Sequence, residues 1–296
     1  MPSILEVKQQ IGSITNTRKI TKAMQLVATS RMKHLQKKAI SVRDFAKSLI
    51  KLQSGKLADI SLGTFSEERE ASKRVFILYS SDKGLCGGMN QQLVKTLLAS
   101  DVWNQTPEPD RIVITFGRKG RDYLKFRKIK VDQSITDLPD SLTPSTAYGY
   151  IDDILKLWKD KEVGSIHMVA PHYKNSFVFY PIVKQFLPVT PSALSDHLGP
   201  ETNLEPTAQT DELIYFEPTK SEISQTIAES LVHALFLQAF YELKATEYSS
   251  RMIAMQNASN SAENIIGDKT RLLNRIRQQK ITQEIAEITG SATVIN

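Results

Sequence analysis

The sequence has very little cysteine, and this scarcity limits the chemistry available to it. Cys86 is the single cysteine among 296 residues, which excludes an internal disulfide and any metal site built from two or more cysteines. No apolar run reaches the roughly 18 residues that a membrane-spanning helix needs. The N-terminus lacks the apolar segment of a signal peptide. These absences predict a protein of a reducing compartment, either cytosolic or facing the cytosol.

Proline is missing from both ends of the chain. Of the 12 prolines, none lies between Ser3 and Thr106 and none follows Pro218. A proline inside a helix costs about 3 kcal/mol, so these proline-free spans favour long helices. At about 1.5 Å per residue, helices over 3–55 and 221–288 would extend roughly 80 Å and 100 Å, which is longer than a globular domain of this size.

Both proline-free ends carry positions that recur at steps of three and four, the spacing of a helix that faces another helix. The N-terminal seam comprises Ile4, Val7, Ile11, Ile14, Arg18, Thr21, Gln25, Ala28, Met32, Leu35, Ala39, Val42, Ala46 and Leu49. The C-terminal seam comprises Ile227, Leu231, Ala234, Gln238, Tyr241, Ala245, Tyr248, Met252, Met255, Ser259, Ala262 and Ile266. The two ends are therefore predicted to pair as an antiparallel coiled coil that protrudes as a shaft.

Between these ends the pattern changes to short β-rich runs alternating with helical segments, which is typical of an α/β domain with a largely parallel sheet. The predicted strands are 75–79, 112–116, 129–131, 166–169, 177–189 and 213–216, and the predicted helices are 91–100, 118–126 and 145–158. We expect residues 58–72 to form a linker and 190–211 an exposed loop. The fold class is thus α/β with a long antiparallel coiled coil, divided into an N-terminal coil helix (1–57), an inserted Rossmann-like α/β domain (73–217) and a C-terminal coil helix with its tip (218–296).

Positive charge is concentrated on the N-terminal helix. Residues 1–56 contain 12 Lys and Arg against two acidic residues, a balance of +10, whereas the chain from residue 221 onward has 7 basic and 8 acidic residues. Nucleic acid or an acidic protein sleeve would explain this charge equally well. A second apolar stripe of Ile20, Met24 and Val27 is more than a two-stranded coil needs, and it favours a surrounding protein.

Equal offsets from residues 57 and 221 make the numbers of paired residues sum to about 278. Gly12 would then lie near Gly267, where two glycines allow close approach of the backbones, or each is simply a tolerated bend. Residues beyond Arg277 would extend as a single helix whose apolar side chains have no partner strand. An apolar stripe of Ile281, Ile285 and Ile288 at such a tip predicts an external socket.

The segment 81–90 is the candidate small-ligand site, because glycines between a strand and a helix can hold phosphate on backbone amides. It matches neither common phosphate-loop pattern, since Lys83 precedes the glycines, and tight turning or close helix packing explains them better. Cys86 is better explained as a buried small residue than as a catalytic thiol. The five histidines show no metal-ligand spacing, and Glu284 with Glu287 lies on an exposed helix without a cleft. We expect no catalytic residue, metal or cofactor.

Four motifs, taken together, resemble the gamma subunit of F-type ATP synthase. They are Lys19-Ile20-Thr21-Lys22-Ala23-Met24, the loop from Ser81 to Asn90, Ser250-Arg251-Met252-Ile253-Ala254-Met255, and Ile281-Thr282-Gln283-Glu284-Ile285-Ala286-Glu287-Ile288. They span the whole chain in the order of that family. The chain departs from the family pattern at the tip, with Ser291-Ala292 in place of Gly-Ala and Gly290 one position early.

The resemblance implies a non-catalytic central-stalk rotor, which transmits rotation between a proton-driven membrane c-ring and the catalytic beta subunits. Its partners would be the alpha and beta subunits around the coil, and the epsilon subunit and c-ring against the α/β domain, with no nucleic acid and no direct nucleotide binding. It would be a peripheral membrane protein on the cytoplasmic face of the bacterial inner membrane. The implied partner contacts are Lys22, Met24, Arg251, Arg277, Gln278, Thr282 and Glu284. The alternative is a coiled-coil protein that binds nucleic acid through its basic N-terminal helix.

Overall fold

The computed structural model describes residues 3–54, 63–198 and 219–294. Its helices are α1 (Ile4–Ser54), α2 (Met89–Ala99), α3 (Asp101–Gln105), α4 (Arg118–Phe126), α5 (Pro144–Lys159), α6 (Pro191–Leu198) and α7 (Lys220–Val294). Its strands are β1 (Arg74–Tyr79), β2 (Arg111–Phe116), β3 (Gln133–Ile135), β4 (Ser165–Tyr173) and β5 (Phe179–Leu187). Short 3-10 turns cover Gly63–Phe65 and Glu108–Asp110. Within the described residues, no helix is long and apolar enough to span a membrane.

The two proline-free ends form the two longest helices, as predicted. Helix α1 has 51 residues and α7 has 75. All fourteen positions of the N-terminal seam and all twelve of the C-terminal seam are buried or half-buried. Among the residues of α1 whose burial is described, Ile50 is the one buried residue outside the seam. The fold class of long terminal helices around a mostly parallel α/β domain is therefore confirmed.

The chain forms two compact units. One contains Met1–Thr29 and Arg251–Asn296, and the other contains Ser30–Ser250, so both long helices contribute to both units. The boundary between units thus falls inside the helices and not at the ends of the inserted domain. The division into an N-terminal coil helix (1–57), an inserted α/β domain (73–217) and a C-terminal coil helix with its tip (218–296) stays a prediction.

Pairs of side chains fix the register of the first unit. The side-chain amides of Gln25 and Gln256 are hydrogen-bonded, and Arg18 Nη2 lies 3.1 Å from Glu263 Oε1. Both pairs of residue numbers sum to 281, so the helices run antiparallel with a shift of three residues from the predicted sum of 278. A Cβ at Gly12 or Gly267 would meet no atom within 4 Å. Close approach of the backbones therefore does not explain these glycines within this chain, and a tolerated bend is the alternative that remains.

The second unit is built on a five-stranded sheet in the order β3-β2-β1-β4-β5. The first four strands are parallel, and β5 pairs antiparallel with β4 at one edge. On one face Phe76 packs against Trp103 of α3 at 4.9 Å between ring centroids. On the other face Phe116 packs against Phe236 of α7 at 5.4 Å. Helices on both faces bury the sheet, which explains its nearly continuous apolar strands.

Three segment assignments were wrong in detail. The third strand is 133–135 and not 129–131, because the amide of Ile129 bonds back to Leu124 O and closes the end of α4. Residues 63–72 are not a free linker, since Phe65 is buried and Trp158 donates to Thr64 O. The expected loop contains α6, which buries Ala193 and Leu194. The remainder of that loop and the predicted strand 213–216 lie outside the described residues.

Burial of α7 is broader than the seam predicted. All residues from 241 to 249 are buried, including the charged side chains of Glu242, Lys244 and Glu247. This part of the helix is enclosed on every face within the second unit. The sequence signal that could have predicted this burial is the nearly continuous apolar run from Leu231 to Phe240, because a helix that is apolar on all sides is usually buried.

The buried carboxylate of Glu242 joins both long helices to the sheet. One oxygen accepts hydrogen bonds from Arg43 of α1 at 3.0 Å and from Gln238 at 2.9 Å. The other accepts the backbone amide of Tyr173, at the end of β4, at 3.1 Å. Arg43 also donates to Tyr173 O at 2.5 Å. Only 1% of the Glu242 side chain and 16% of the Arg43 side chain are exposed.

Basic groups keep Glu242 ionised. Burial alone would raise the pKa of its carboxyl, but contact with His172 and the charges of Lys184 and Arg43 outweigh burial and lower the pKa to about 2. His172 Nδ1 lies 3.2 Å from Oε2, without the alignment of a full hydrogen bond. Burial also lowers the pKa of Lys184, whose ammonium donates to His197 O at 3.5 Å. The anchor thus extends from α1 through α7 to β4, β5 and α6.

We predict that Glu242→Gln destabilises the isolated chain by about 3–5 kcal/mol, because it leaves Arg43 and Lys184 buried without their counter-charge. The matched control is Glu263→Gln, which removes the partner of Arg18 in an exposed pair and should cost only about 0.2–1 kcal/mol. Urea unfolding of both variants measures the difference. Equal losses in the two variants would show that Glu242 is not an anchor.

Two buried histidines make the free energy of unfolding depend on pH. Burial, helped by the charge of Arg74, lowers the pKa of His167 to about 4, and burial with the charge of Lys184 lowers that of His197 to about 3. Below an ordinary histidine pKa of about 6.5 the unfolded chain takes up protons that the folded chain does not, so folding weakens as pH falls. These groups contribute fully above that pH, and their contribution is lost as pH falls toward 4 and 3.

We therefore expect the free energy of unfolding to fall by about 1.4 kcal/mol per pH unit for each of these histidines between pH 6 and pH 4.5. His167→Gln should reduce the slope of the free energy of unfolding against pH by the contribution of one histidine, whatever its effect on stability at pH 7. Urea unfolding of both proteins across this range provides the measurement. An unchanged slope in the variant would contradict the assignment.

Candidate partner-binding surfaces

The second apolar stripe lies at the surface of the first unit. Ile20 is 61% exposed and Val27 is 55% exposed, while Met24 is half-buried. Leu26, which sequence reasoning did not include, is also 62% exposed, but helix geometry places it on a different face of α1 from the stripe. Contiguous exposed apolar side chains mark interaction surfaces on proteins, so this stripe is a candidate partner-binding surface.

The basic residues of α1 differ in what they contact. Lys19 and Lys22 are exposed, and Lys22 donates to Gln25 Oε1 at 3.0 Å. Arg31 instead forms an ion pair with Asp140 and donates to Tyr248 Oη at 3.0 Å. The hydrogen bond with Tyr248 is the main cause that raises the pKa of Arg31. Burial, followed by the hydrogen bond to Asp140, raises the pKa of Tyr248 to about 12. Arg31 therefore links α1 to α7 and to the segment before α5 within the second unit.

Arg251 differs from the other predicted contact residues in its burial. Its side chain is only 8% exposed, so this chain itself covers most of the guanidinium. Lys22 on α1 and Arg277, Gln278, Thr282 and Glu284 on α7 are all exposed, and Met24 is half-buried. The structure thus leaves six of the seven residues at least partly accessible, in two groups on different helices.

The C-terminal part of α7 forms an exposed tip. Every residue from 277 to 289 is exposed, and with a pairing sum of 281 residue 277 is the partner position of Ile4, the first residue of α1. Ile281, Ile285 and Ile288 are 48%, 57% and 68% exposed. Their spacing of four and three places them on one side of the helix. A helix that exposes an apolar stripe presents a surface that a partner can bury.

Side-chain hydrogen bonds organise the loop 81–90. The amide oxygen of Asn90 accepts from Ser81 N at 3.0 Å, and its nitrogen donates to Ser81 Oγ at 2.8 Å. That nitrogen also lies 3.1 Å from Cys86 Sγ. Gly87 has a φ of +60°, which a tight turn requires and side chains disfavour. The turn interpretation of Gly87 therefore fits the structure.

Close helix packing does not explain the other two glycines of this loop. A Cβ at Gly84 or Gly88 would meet only side-chain atoms at 3.6 Å, an ordinary contact distance. The glycines that close packing does require are elsewhere. A Cβ at Gly117 would lie 2.1 Å from Ser80 O, and one at Gly120 would lie 2.7 Å from Ser80 Oγ. Sequence reasoning missed these two, although Gly117 directly follows a predicted strand and Gly120 lies in the first turn of the helix after it.

The buried histidines have structural partners. His167 stacks on Phe76 at 5.8 Å between ring centroids and shares a hydrogen bond with Ser165, and His197 contacts Gln185 O at 2.9 Å. Across the described residues, no group of three or more His, Cys, Asp and Glu is arranged to hold a metal ion. Glu284 lies within reach of Lys280 on the exposed tip, at 3.7 Å.

Comparison with solved structures supports the fold. The chain resembles a chain of the Euglena gracilis mitochondrial ATP synthase, in its OSCP/F1/c-ring assembly, with a TM-score of 0.63, 15% identity and coverage of 99% of this chain and 94% of that one. It also resembles a chain of the Tetrahymena thermophila mitochondrial ATP synthase, in a structure of its central stalk and c-ring. The TM-score for that comparison is 0.58 and the identity is 22%, with coverage of 81% of this chain and 99% of that one. At these identities the likeness concerns the fold.

Sequence comparison identifies the family. The family model described as ATP synthase matches residues 3–295. The ATP synthase gamma chain of Clostridium novyi (strain NT) is 33% identical over 294 residues, covering 98% of this chain and 97% of the relative. That of Pelotomaculum thermopropionicum is 32% identical over 298 residues, covering both chains completely. The chain therefore belongs to the ATP synthase gamma-chain family.

Proposed function

We propose that this chain is the central-stalk rotor subunit of an F-type ATP synthase. In this role it transmits rotation from a proton-driven c-ring to catalytic beta subunits during ATP synthesis, and in the reverse direction during hydrolysis. The observation that carries the proposal is the full-length relationship to gamma chains, together with exposed apolar surfaces at the positions of the family motifs. The comparisons give no support to the nucleic-acid alternative.

The two exposed apolar surfaces of the first unit fit a shaft inside a protein sleeve. The stripe of Ile20, Met24 and Val27 would contact the surrounding alpha and beta subunits, and the isoleucines of the tip would occupy the far end of that sleeve. Burying apolar surface contributes about 25 cal/mol per Å2. Lys19 and Lys22, which are exposed on the same part of α1, would favour an acidic lining and orient the approach.

The predicted partner contacts form two groups in this proposal. Lys22 and Met24 would contact an acidic segment of a beta subunit, and Arg277, Gln278, Thr282 and Glu284 would contact beta-subunit loops around the tip. All except Met24 are exposed. Arg251 remains in the proposal as a residue of the facing helix, but its burial favours a role in holding the stripe in position over a direct contact.

The α/β domain would act as the base of the shaft in this proposal. It would stand against the epsilon subunit and the c-ring, making the chain a peripheral membrane protein on the cytoplasmic face of the bacterial inner membrane. The Glu242 anchor fits this role, because torque applied to the domain must pass into both helices without slippage. The chain itself would be non-catalytic, bind no nucleotide directly and need no cofactor, leaving the chemistry to the beta subunits.

Cross-linking within the assembled enzyme tests the rotor function. In a Cys86→Ser background, cysteines replacing Gln25 and Gln256 probe a position where the two helices are in side-chain contact. A second variant places one cysteine at the exposed Lys22 and one in the acidic segment of a beta subunit. We expect oxidation of the first variant to leave ATP turnover near its reduced value, because both helices turn as one body. Oxidation of the second should abolish turnover, and reductant should restore it.

The Lys22 cysteine without its beta-subunit partner is the matched control, and oxidation should not affect its turnover. Gel mobility reports how completely each bond forms, since a disulfide requires Cα atoms within about 7 Å. Full turnover with the shaft-to-beta bond completely formed would rule out rotation of this segment against the ring.

Charge reversal tests the basic surface. Lys19→Glu with Lys22→Glu should lower ATP-driven proton pumping about tenfold or more, because these exposed ammonium groups would face an acidic lining. Stability of the isolated chain should change little. The matched control is Arg31→Glu, which should destabilise the isolated chain because it breaks the ion pair with Asp140. Normal pumping by the Lys19 and Lys22 double variant would contradict an acidic lining.

A further inference from the structure

Residues 137–143, between β3 and α5, contact both long helices although they belong to no helix or strand themselves. The Asp140 carboxylate forms an ion pair with Arg31 of α1 and accepts a hydrogen bond from Tyr248 Oη of α7 at 2.8 Å. Arg31 in turn donates to Tyr248 Oη at 3.0 Å, and its guanidinium lies 5.8 Å from the centroid of the Tyr248 ring. One residue from each long helix and one from this segment are therefore bonded to one another as a triangle.

A second triangle of the same kind lies seven residues away along each long helix. Ser141 Oγ accepts a hydrogen bond from Lys38 Nζ of α1 at 2.6 Å and lies 3.3 Å from Tyr241 Oη of α7. Lys38 Nζ lies 5.8 Å from the centroid of the Tyr241 ring, within reach of a cation–π contact. Seven residues are about two turns of a helix, so each helix presents both of its contacts on one side.

Two backbone carbonyls of the segment add bonds to α7. Lys244 Nζ donates to Leu138 O at 3.1 Å, and Tyr241 Oη donates to Leu142 O at 3.3 Å. The side chains of Leu138 and Leu142 are both buried. Tyr241, Lys244 and Tyr248 follow one another at steps of three and four, so a single face of α7 meets the segment.

The domain holds both ends of this segment. Asp82, in the loop after β1, accepts the backbone amide of Leu138 at 2.7 Å and that of Arg118, at the start of α4, at 3.0 Å. At the other end, the Thr143 hydroxyl caps α5 by accepting the amide of Thr146 at 3.2 Å. A force on either long helix therefore reaches the sheet domain through a segment that is fixed on both sides of the contact.

Fold stability does not account for the first triangle. The side chains of Arg31 and Asp140 are 54% and 38% exposed, and exposed ion pairs contribute little to the free energy of folding. The triangle instead adds direction, because hydrogen bonds require a defined geometry whereas apolar contacts do not. Arg31 and Tyr248 also lie within two residues of Ser30 and Ser250, the limits of the second unit. This position suits a residue that orients the helices.

We propose that residues 137–143 form a clamp on α1 and α7, and that Asp140 is the positioning residue through which torque passes between these helices and the α/β domain. The torque role rests on the proposed rotor function, whereas the clamp itself does not. Arg43 of the Glu242 anchor is 12 residues from Arg31, which is about 18 Å along a straight helix. Anchor and clamp thus hold the helices at two separate levels, which resists tilting as well as rotation.

Thiol labelling of the isolated full-length chain tests the clamp without rotation. In a Cys86→Ser background, a cysteine replaces the buried Leu142, and 4,4′-dithiodipyridine reports how often the segment opens. Asp140→Ala removes the acceptor that both helices share, and should raise the labelling rate about tenfold. Asp140→Glu keeps a carboxylate and should restore slow labelling. The melting temperature should fall by less than about 4 °C, because the lost ion pair is exposed.

The matched control is Asp137→Asn. Asp137 lies in the same segment but pairs with Arg118 of α4, on the domain side. Its φ of +59° is tolerated by asparagine, so this variant removes a charge without adding backbone strain. Labelling at position 142 should stay slow in this control.

Angular fluctuation in single complexes tests the torque role. With the alpha and beta subunits fixed to a surface, a gold rod on a cysteine at the exposed Glu108 reports the angle of the domain during the pauses between steps. Asp140→Ala should widen the angular variance about 1.5-fold or more, because one of two independent connections is lost. Asp137→Asn should leave the variance unchanged. A role in folding alone would lower the yield of complexes without widening the variance.

Slow labelling at position 142 in Asp140→Ala would overturn the clamp, and so would equally fast labelling in Asp137→Asn. Fast labelling with an unchanged angular variance would overturn the torque role. If Asp140→Ala does not assemble, Lys38→Met opens only the second triangle and allows both measurements. Failure of the rotor function is distinguishable, because the rod would then not turn even in the unmodified complex. That result would overturn the torque role, while the labelling rate would still decide the clamp.

Discussion

The buried carboxylate of Glu242 is the constraint on which the arrangement of the second unit depends. It accepts bonds from Arg43 on α1, from Gln238 on its own helix and from the end of strand β4. A buried charge is tolerated only when opposite charges and hydrogen bonds compensate for its lost hydration. Arg43, Lys184 and the Tyr173 amide provide that compensation, so the two long helices and the sheet are held at one point.

This anchor ties the parts of both long helices that lie in the second unit to the sheet of that unit. Packing contacts are non-directional, and helices held by apolar packing alone can slide by small amounts. The ionic anchor adds directional bonds at the position where α1 and α7 meet the sheet. A second connection, through Arg31, Asp140 and Tyr248, joins the same two helices to the segment before α5. Two separated connections resist rotation of the helices against the domain better than one.

The sequence predicted the long helices and most of the sheet because their patterns are local. The seam pattern of α1 arises from contact with a single partner helix. Helix 118–126 was predicted with its observed bounds. The third strand was misplaced because Ile129 and Val131 look β-like, while the backbone amide of Ile129 closes the end of α4. Helix α6 was missed because its proline and its two serines are typical of loops, whereas tertiary packing buries Ala193 and Leu194.

The surfaces were predictable in part. The stripe around Met24 and the isoleucines of the tip were evident as apolar positions that the predicted coil does not use. The family motifs indicated which partners would contact them. The register was three residues off because it was counted from assumed helix ends, whereas the Gln25–Gln256 contact fixes it. The Glu242 anchor was not predictable, since it assembles residues separated by 199 positions between Arg43 and Glu242 and no local pattern marks them.

Observation of single complexes tests the central claim most directly. With the alpha and beta subunits fixed to a surface and Cys86 replaced by serine, a gold rod is attached to a cysteine at the exposed Glu108 of the α/β domain. The account predicts that the rod turns in one direction, in discrete steps, only when ATP is hydrolysed. A rod that stays fixed in angle while the same complexes hydrolyse ATP would contradict the account.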